Sequence, residues 1–190
     1  MATLLQQEPG YGPAAPVPIF QHVAEFAALL TKYRELAPMR TLEVGTFHGG
    51  TLYHWLQNAP DGATVVSVDS YAAGVDNRHL YDEWKPPDVS LHVIEGDSHD
   101  PHTVEQAAEY APYQWVFIDA GHYYPEVLAD WNNYGPMADG VVCFHDILTH
   151  PNHPEIEVGR LWAELQANYE TEEIVGNPNA DWGGIGILHT

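Results

Sequence analysis

The stretch that decides the fold is TLEVGTFHGGT, residues 41–51. Its first half is a short apolar run typical of a buried strand, and its second half places three glycines where a helical pattern begins. Glycine lets backbone amides approach a ligand closely, and the first turn of a helix favours negative charge. The stretch therefore predicts a strand, a ligand-binding turn and a helix in succession.

The same alternation continues along the chain. We predict strands over 40–44, 63–68, 89–94, 114–118 and 141–144, with helices between them over 50–57, 76–84, 103–110 and 124–134. A helix over 19–36 precedes this block, and a helix over 155–168 and strands over 172–175 and 184–188 follow it. The central strands are continuous apolar runs, which indicate a parallel sheet covered by helices on both faces. The predicted fold class is α/β, with a doubly wound sheet.

Length and composition limit the domain organisation and the classes of binding partner. Residues 1–18 are rich in proline and lack periodicity, so we predict an irregular arm there and a single domain over 19–190. Six basic residues against 27 acidic ones give a net charge of −21. Such a surface repels phosphate backbones and acidic lipids, so neither nucleic acid nor a membrane is an expected partner. With no secretion signal and no long apolar run, we expect a soluble, cytoplasmic protein, and a homo-oligomer is compatible with the sequence.

The residues around the glycine turn limit the class of ligand that it can bind. No Gly-Lys-Ser/Thr follows the turn, and the dinucleotide pattern G-x-G-x-x-G is not matched. Glu43 ends the first strand, where a carboxylate would repel a pyrophosphate but suit a zwitterionic or cationic ligand. Asp69 ends the second strand and can accept hydrogen bonds from ribose hydroxyls, as it would in a dehydrogenase. An NAD-dependent oxidoreductase is therefore disfavoured but stays open.

The turn from Glu43 to Thr51, together with Asp69, resembles the cofactor half of class I S-adenosylmethionine-dependent methyltransferases. That family has a Rossmann-like sheet of seven strands, mostly parallel with the last strand antiparallel, which matches the strand count here. The resemblance implies that the glycine turn passes under the methionine moiety, that Thr51 binds its carboxylate and that Asp69 holds the ribose. The implied cofactor-binding set is Glu43, Gly45, Thr46, Phe47, Gly49, Thr51, Asp69, Asp97, Ser98 and Asp119, with Asp97 and Ser98 near the adenine.

Two acidic motifs follow neighbouring strands: Asp119-Ala120-Gly121-His122 and His145-Asp146. Each carboxylate alone can be a helix cap, but together they supply the oxygen ligands that magnesium prefers. The motifs resemble those of metal-dependent O-methyltransferases, both the catechol type and the sugar O-methyltransferase and cephalosporin-hydroxylase-like group, although Ala120-Gly121 departs from the Asp-Gly-x-His pattern of the latter.

That resemblance implies S-adenosylmethionine and Mg²⁺, or another divalent cation, as cofactors. It implies Asp119, His145 and Asp146 as metal ligands and His122 as the general base, although magnesium prefers oxygen to a histidine nitrogen. The implied acceptor is a hydroxyl of a small molecule, which a sugar, a phenol or a natural product would offer.

Two other interpretations stay open. The histidines at 145, 150 and 153, with Asp146, suggest a zinc hydrolase, but their spacing matches no helical zinc motif, and Pro151 and Pro154 favour a loop at the rim of the acceptor pocket. A non-catalytic domain that keeps the cofactor fold for binding or assembly is the second alternative.

Overall fold

The structure is a computed structural model of the 190-residue chain and describes residues 16–72, 77–148, 152–180 and 182–190. Most of the predicted arm, residues 1–15, lies outside the described residues, as do residue 76 of a predicted helix and His150 of the histidine-rich loop. The division into an arm and one domain stays a prediction.

The described part of the chain contains a seven-stranded sheet and six α-helices. The strands are β1 (Arg40–Val44), β2 (Thr64–Asp69), β3 (Ser90–Glu95), β4 (Tyr113–Ile118), β5 (Ala138–His145), β6 (Glu170–Ile174) and β7 (Ile185–His189). The helices are α1 (Val23–Leu36), α2 (Gly50–Asn58), α3 (Arg78–Trp84), α4 (Pro101–Ala108), α5 (Tyr124–Tyr134) and α6 (Val158–Gln166), and a short 3₁₀ turn spans Gly135–Met137.

The strand order is β3-β2-β1-β4-β5-β7-β6. The pairs from β3 to β5 are parallel, whereas β7 runs antiparallel to both β5 and β6. The predicted doubly wound sheet with an antiparallel last strand is therefore confirmed. The order reverses between β1 and β4, which opens a crevice at their carboxyl ends where ligands bind in such sheets.

Each face of the sheet has its own apolar core. On one face, α1 and α2 pack Phe26, Tyr33 and Trp55 against Trp115 and Phe117 of β4. On the other face, α5 and α6 pack Val127, Leu161 and Trp162 against strand residues that include Leu42, Val44, Val116, Ile118 and Val142. Two buried faces explain why the central strands are continuous apolar runs. Cys143 is buried in β5.

The prediction of a helix from residue 19 is wrong at its start. α1 begins at Val23, and residues 20–22 are not helical. The reason is a tertiary contact. Ile19 is buried against Gly50 at the start of α2, and this contact prevents residues 19–22 from joining the helix. The bounds of β1 and α5 agree with the predictions, whereas α4 begins two residues earlier than predicted because the Asp100 side chain caps it at Pro101.

No helix in the described residues is long and apolar enough to cross a membrane.

Candidate active site

A cavity of about 720 Å³ opens at the carboxyl ends of β1 and β4. Its wall near β2 and β3 includes Asp69, Ser70 and Gly96 to His99, and its wall near β4 and β5 includes Asp119 to His122, His145 and Asp146. The glycine turn lies between these walls, with Gly45 and Phe47 in the cavity lining. The crevice at the reversal of strand order is thus the one that the sequence motifs surround.

The glycine turn is tight because the backbone of Gly45 packs directly on the backbone of Asp119. Its φ is +92°, and a Cβ atom added there would lie 2.1 Å from the carbonyl oxygen of Asp119. Its amide donates to the carbonyl of Val68 at 2.9 Å. Glycine is required here, since any side chain would collide with the loop after β4.

Asp69 holds this turn from the end of β2. Its Oδ2 accepts hydrogen bonds from the amides of Thr46 at 2.8 Å and Phe47 at 2.7 Å, and its Oδ1 accepts from the amide of Tyr71. A carboxylate has about four lone-pair positions, so capacity is left for a ribose hydroxyl. Asp69 lines the cavity, as its predicted role requires, and it also fixes the shape of the turn.

Four residues of the predicted cofactor set are not among the described residues that line the cavity: Glu43, Thr46, Gly49 and Thr51. Glu43 is fully buried and accepts a hydrogen bond from Trp55 Nε1 at 2.9 Å. Burial raises the pKa of Glu43 to about 8, although hydrogen bonds from Thr51, Trp55 and Thr46 oppose that rise. Its carboxyl is therefore largely neutral at pH 7, which weakens the argument that its charge attracts a cationic ligand.

The other predicted cofactor residues lie at the cavity wall, where Asp97 and Ser98 form the turn after β3. The Asp97 carboxylate accepts from the His99 amide at 2.9 Å, and the Ser98 carbonyl accepts from the Tyr134 hydroxyl at 2.9 Å. These contacts fix the backbone at the end of the cavity farthest from β5.

Asp119, His122, His145 and Asp146 converge at the opposite end, and we call them the acidic quartet. His145 Nδ1 lies 3.3 Å from Asp119 Oδ1 and 3.4 Å from Asp146 Oδ2. His122 Nε2 lies 3.3 Å from Asp146 Oδ2 and 3.7 Å from Asp119 Oδ1. The four residues that the sequence predicted as ligands and base are thus brought together.

The charges of the quartet balance one another. Hydrogen bonds to Asp119 and Asp146 raise the pKa of His122 to about 10. Burial alone would lower the pKa of His145, but the negative charges of Asp119 and Asp146 outweigh burial and raise it to about 10 as well. Burial is likewise outweighed at both aspartates, whose pKa values are lowered by His145 and His122. Two imidazolium ions therefore face two carboxylates at neutral pH.

The backbone and two distant residues hold the carboxylates of the quartet. Asp146 has a φ of +61°, in the left-handed region, and its Oδ1 accepts from the Gly183 amide at 2.9 Å. Asp119 Oδ2 accepts from Gln21 Nε2 at 2.7 Å. Gln21 was not among the residues predicted from the sequence, and neither were Phe20 and Trp182 in the cavity wall. No motif or spacing marks them, because tertiary packing alone brings them here.

Asp119, His145 and Asp146 fit a divalent cation. Each offers one ligand atom, and the three atoms lie within 4.8 Å of one another. Adjacent ligands of an octahedral ion at about 2.1 Å are about 3 Å apart, close to the separations of 3.3 and 3.4 Å seen here. His153 lines the cavity but is not in this group. A nitrogen donor beside two carboxylates suits manganese, iron or zinc at least as well as magnesium.

A family model described as a methyltransferase domain matches residues 42–147, more than half of the chain. The matched region runs from β1 to the residue after Asp146, so it spans the glycine turn and the whole acidic quartet. The chain belongs to the methyltransferase family. It is an S-adenosylmethionine-dependent enzyme with the class I fold, as the sequence resemblance implied. The oxidoreductase, zinc hydrolase and non-catalytic interpretations give way to this assignment.

Solved structures of O-methyltransferases share the fold of this methyltransferase. An enzyme from Bacillus cereus in complex with SAH has a TM-score of 0.68 at 15% identity, over 100% of this chain and 86% of that one. TomG from Streptomyces achromogenes, involved in tomaymycin synthesis and solved with SAM, has a TM-score of 0.62 at 19% identity, over 86% and 78% of the two chains.

MycE, from the mycinamycin biosynthetic pathway and solved with Mg and SAH, has a TM-score of 0.59 at 18% identity. The match covers 89% of this chain and 50% of MycE. No curated protein matches the sequence significantly. At these identities the structural likeness establishes the fold, and the chemistry must be argued from the site itself.

Proposed function

We propose that this methyltransferase transfers a methyl group to a hydroxyl oxygen of a small molecule, assisted by a divalent cation, with His122 as the general base. The observation that carries the proposal is the acidic quartet, which stands in the wall of the same cavity as the glycine turn. The turn and the quartet share a backbone contact, because Gly45 packs directly on Asp119. A methyl donor on the turn and an acceptor at the quartet would therefore be neighbours.

The chain's own groups suit S-adenosylmethionine in the cavity. Asp69, Asp97 and Ser98 line the cavity, where Asp69 would hold the ribose and Asp97 and Ser98 would lie near the adenine. Gly45 and Phe47 line the cavity between them and the quartet. When bound, the cofactor supplies a sulfonium methyl group, and the residues of the cavity have only to orient it and exclude water.

Asp119, His145 and Asp146 would hold the cation. Their geometry supports this role, since one ligand atom from each of the three lies within 4.8 Å of the other two. When bound, a divalent cation supplies positive charge that lowers the pKa of an acceptor hydroxyl and of the nearby His122 imidazole. Mg²⁺ is the ion that the resemblance implies, and His145 makes Mn²⁺ an equal candidate.

His122 is placed to remove the acceptor proton. Its side chain is 39% exposed and lines the cavity, whereas His145 is 3% exposed. The pKa of about 10 keeps His122 protonated at neutral pH as long as no metal ion binds Asp119 and Asp146. Base catalysis at neutral pH therefore requires that another cation take over part of the carboxylate charge, which is why the base and the metal belong to one proposal.

Aromatic side chains line part of the cavity. Phe20 and Phe47 are 50% and 42% exposed, and their rings pack edge to face with centroids 5.1 Å apart. Both line the cavity together with Trp182 and Ile156. Apolar rings beside acidic groups favour a neutral sugar, phenol or natural-product acceptor, and one MycE complex holds mycinamycin VI together with Mg and SAH. The net charge of −21 argues against nucleic acid or an anionic membrane as substrate, and a cytoplasmic location remains our expectation.

Calorimetric titration with S-adenosylhomocysteine, with and without Mg²⁺ or Mn²⁺ and with NAD as the control, tests the cofactor and the cation. We expect the homocysteine analogue to bind and NAD not to bind. Methyl transfer from labelled S-adenosylmethionine to a panel of sugar and phenol acceptors should then require the cation. Turnover that survives complete chelation would contradict the metal-assisted mechanism.

The role of His122 is tested by the pH profile of His122→Gln. We expect the rate to fall most near neutral pH and to recover partly as the pH rises, because the acceptor hydroxyl then ionises without a base. A rate deficit that is equal at all pH values would make His122 a residue that only positions the acceptor.

A further inference from the structure

The segment before α1 is fixed against the glycine turn. Val17 and Ile19 are buried, and a Cβ atom on Gly50 would lie 2.3 Å from the Pro18 carbonyl oxygen. The chain therefore crosses the start of α2 in close backbone contact. This path brings Gln21, three residues after Pro18, into hydrogen-bond contact with Asp119.

The next residues are fixed from the opposite side. The His22 ring stacks on Trp182 with centroids 3.9 Å apart, and its Nε2 lies 3.2 Å from the Trp182 carbonyl oxygen. The buried Glu25 carboxylate accepts from the amides of Gly176 at 2.7 Å and Gly184 at 2.9 Å. Gly183, beside Gly184, donates to Asp146. One set of contacts thus holds both Gln21 and Asp146 in place.

Gln21 has a defined task within this frame. Its side chain is 1% exposed, and Nε2 donates to Asp119 Oδ2 at 2.7 Å. The other carboxylate oxygen, Oδ1, is the one that faces His145 and His122. The opposite amide orientation would set a carbonyl oxygen against a carboxylate oxygen, so the donor must face Asp119. The amide therefore determines which oxygen of Asp119 is turned toward the quartet.

The carbonyl oxygen of the same amide is buried without a donor. No described residue offers a hydrogen bond to Gln21 Oε1. Within the described residues the Gln21 side chain therefore makes one hydrogen bond, and that bond is to Asp119.

We propose that Gln21 is a positioning residue of the cation site: its amide nitrogen binds Oδ2 of Asp119 and so holds Oδ1 toward His145 and Asp146, where the cation would be bound. The inference rests on the proposed function, because that function requires the cation. It gives the segment before α1 a direct part in the active site. The inference assigns Gln21 to the cation site and not to cofactor binding, because its amide donates to Asp119 and makes no hydrogen bond to the glycine turn.

Mn²⁺ binding to the full chain, measured by electron paramagnetic resonance, tests this role. Gln21→Met keeps the side-chain length but removes both polar atoms. We expect it to weaken Mn²⁺ binding about 10-fold, as loss of a partner of a metal ligand does, and to leave S-adenosylhomocysteine affinity within about 2-fold. Gln57→Met is the matched control, since Gln57 Nε2 also donates one hydrogen bond, to the Trp84 carbonyl, but outside the cavity wall. This control should change neither affinity.

The outcomes separate the two proposals. Unchanged Mn²⁺ affinity in a folded Gln21→Met protein would overturn the role of Gln21 and leave the proposed function intact, whereas a wild-type protein that binds no Mn²⁺ would overturn both. Equal losses of Mn²⁺ and S-adenosylhomocysteine affinity would show a general structural role and would also overturn the inference. If Gln21→Met fails to fold, Gln21→Asn replaces it, because its shorter amide withdraws from Asp119 and should weaken Mn²⁺ binding selectively.

Discussion

The two ends of the cavity are built differently. At the cofactor end, Asp69 binds the backbone amides of Thr46 and Phe47, and the shape of the turn depends on glycine conformations encoded in one stretch of sequence. At the other end, side chains of Asp119 and Asp146 are held by residues 98 and 37 positions away. The difference shows that the cofactor turn depends mainly on local conformation, whereas the acidic quartet depends on how remote segments pack.

The largest effect is expected from Gly45→Ala, because Gly45 is where the two ends touch. A methyl group would sit 2.1 Å from the Asp119 carbonyl oxygen, so we expect about 3 kcal/mol or more of destabilisation in urea unfolding. Binding of both S-adenosylhomocysteine and Mn²⁺ should be lost. Gly62→Ala is the control, since Gly62 also has a positive φ, of +82°, but its added Cβ would meet only Met39 at 3.7 Å. A Gly45→Ala protein that keeps either ligand would show that the two ends are independent.

Asp146→Asn should come next and should separate the two ends. Asparagine tolerates the positive φ and keeps an oxygen for the Gly183 amide, so the change removes mainly the charge. We expect turnover to fall at least about 100-fold, beyond the effect of losing a partner of a metal ligand, with S-adenosylhomocysteine affinity within about 3-fold. Steady-state kinetics and calorimetry measure the two quantities.

Asp69→Asn is the counterpart at the cofactor end and should show the reverse pattern. An amide has one acceptor oxygen and cannot serve the three backbone amides that Asp69 now binds, so cofactor affinity should fall while Mn²⁺ affinity persists. Parallel loss of both ligands in both variants would refute the division between the two ends.

The smallest effect, confined to stability, is expected from Glu43→Gln beneath the turn. Burial raises the pKa of Glu43 to about 8 from a usual value of 4.5, so between these values the folded protein holds a proton that the unfolded chain releases. The free energy of unfolding therefore falls as the pH rises through this window, and the variant lacks that loss. Relative to wild type, Glu43→Gln should gain on the order of 2 kcal/mol between pH 5 and pH 6.5. Parallel pH profiles of urea unfolding would show that the Glu43 carboxyl is already ionised at pH 5.

Much of the fold could be predicted because local patterns and packing agree. The continuous apolar runs of β1, β2 and β4 indicated a sheet buried on both faces, and both faces are buried. Boundaries were less predictable where a distant contact competes with local propensity. Residues 19–22 were predicted as the start of a helix, yet Ile19 packs against Gly50, His22 stacks on Trp182, and α1 begins only at Val23.

The candidate site, like the fold, could be predicted from the sequence only in part. Strand ends pointed to Asp119, His122, His145 and Asp146, because the carboxyl ends of neighbouring parallel strands must meet. Within the glycine turn, sequence could not distinguish residues that face the cavity from those beneath it. Glu43 and Thr51 lie inside the protein while Gly45 and Phe47 face the cavity, a distinction that depends on the path of the turn.

The sequence by itself determined the α/β sheet, the position of the cofactor turn and the residues of the acidic quartet, since each follows from periodicity or from strand ends. Only the tertiary structure decided that Gln21 binds Asp119, that Gly183 binds Asp146 and that the quartet raises the pKa of His122 to about 10. Hydrogen bonds and charge interactions act over a few ångströms, and residues this far apart in sequence come within that range only when the chain has folded.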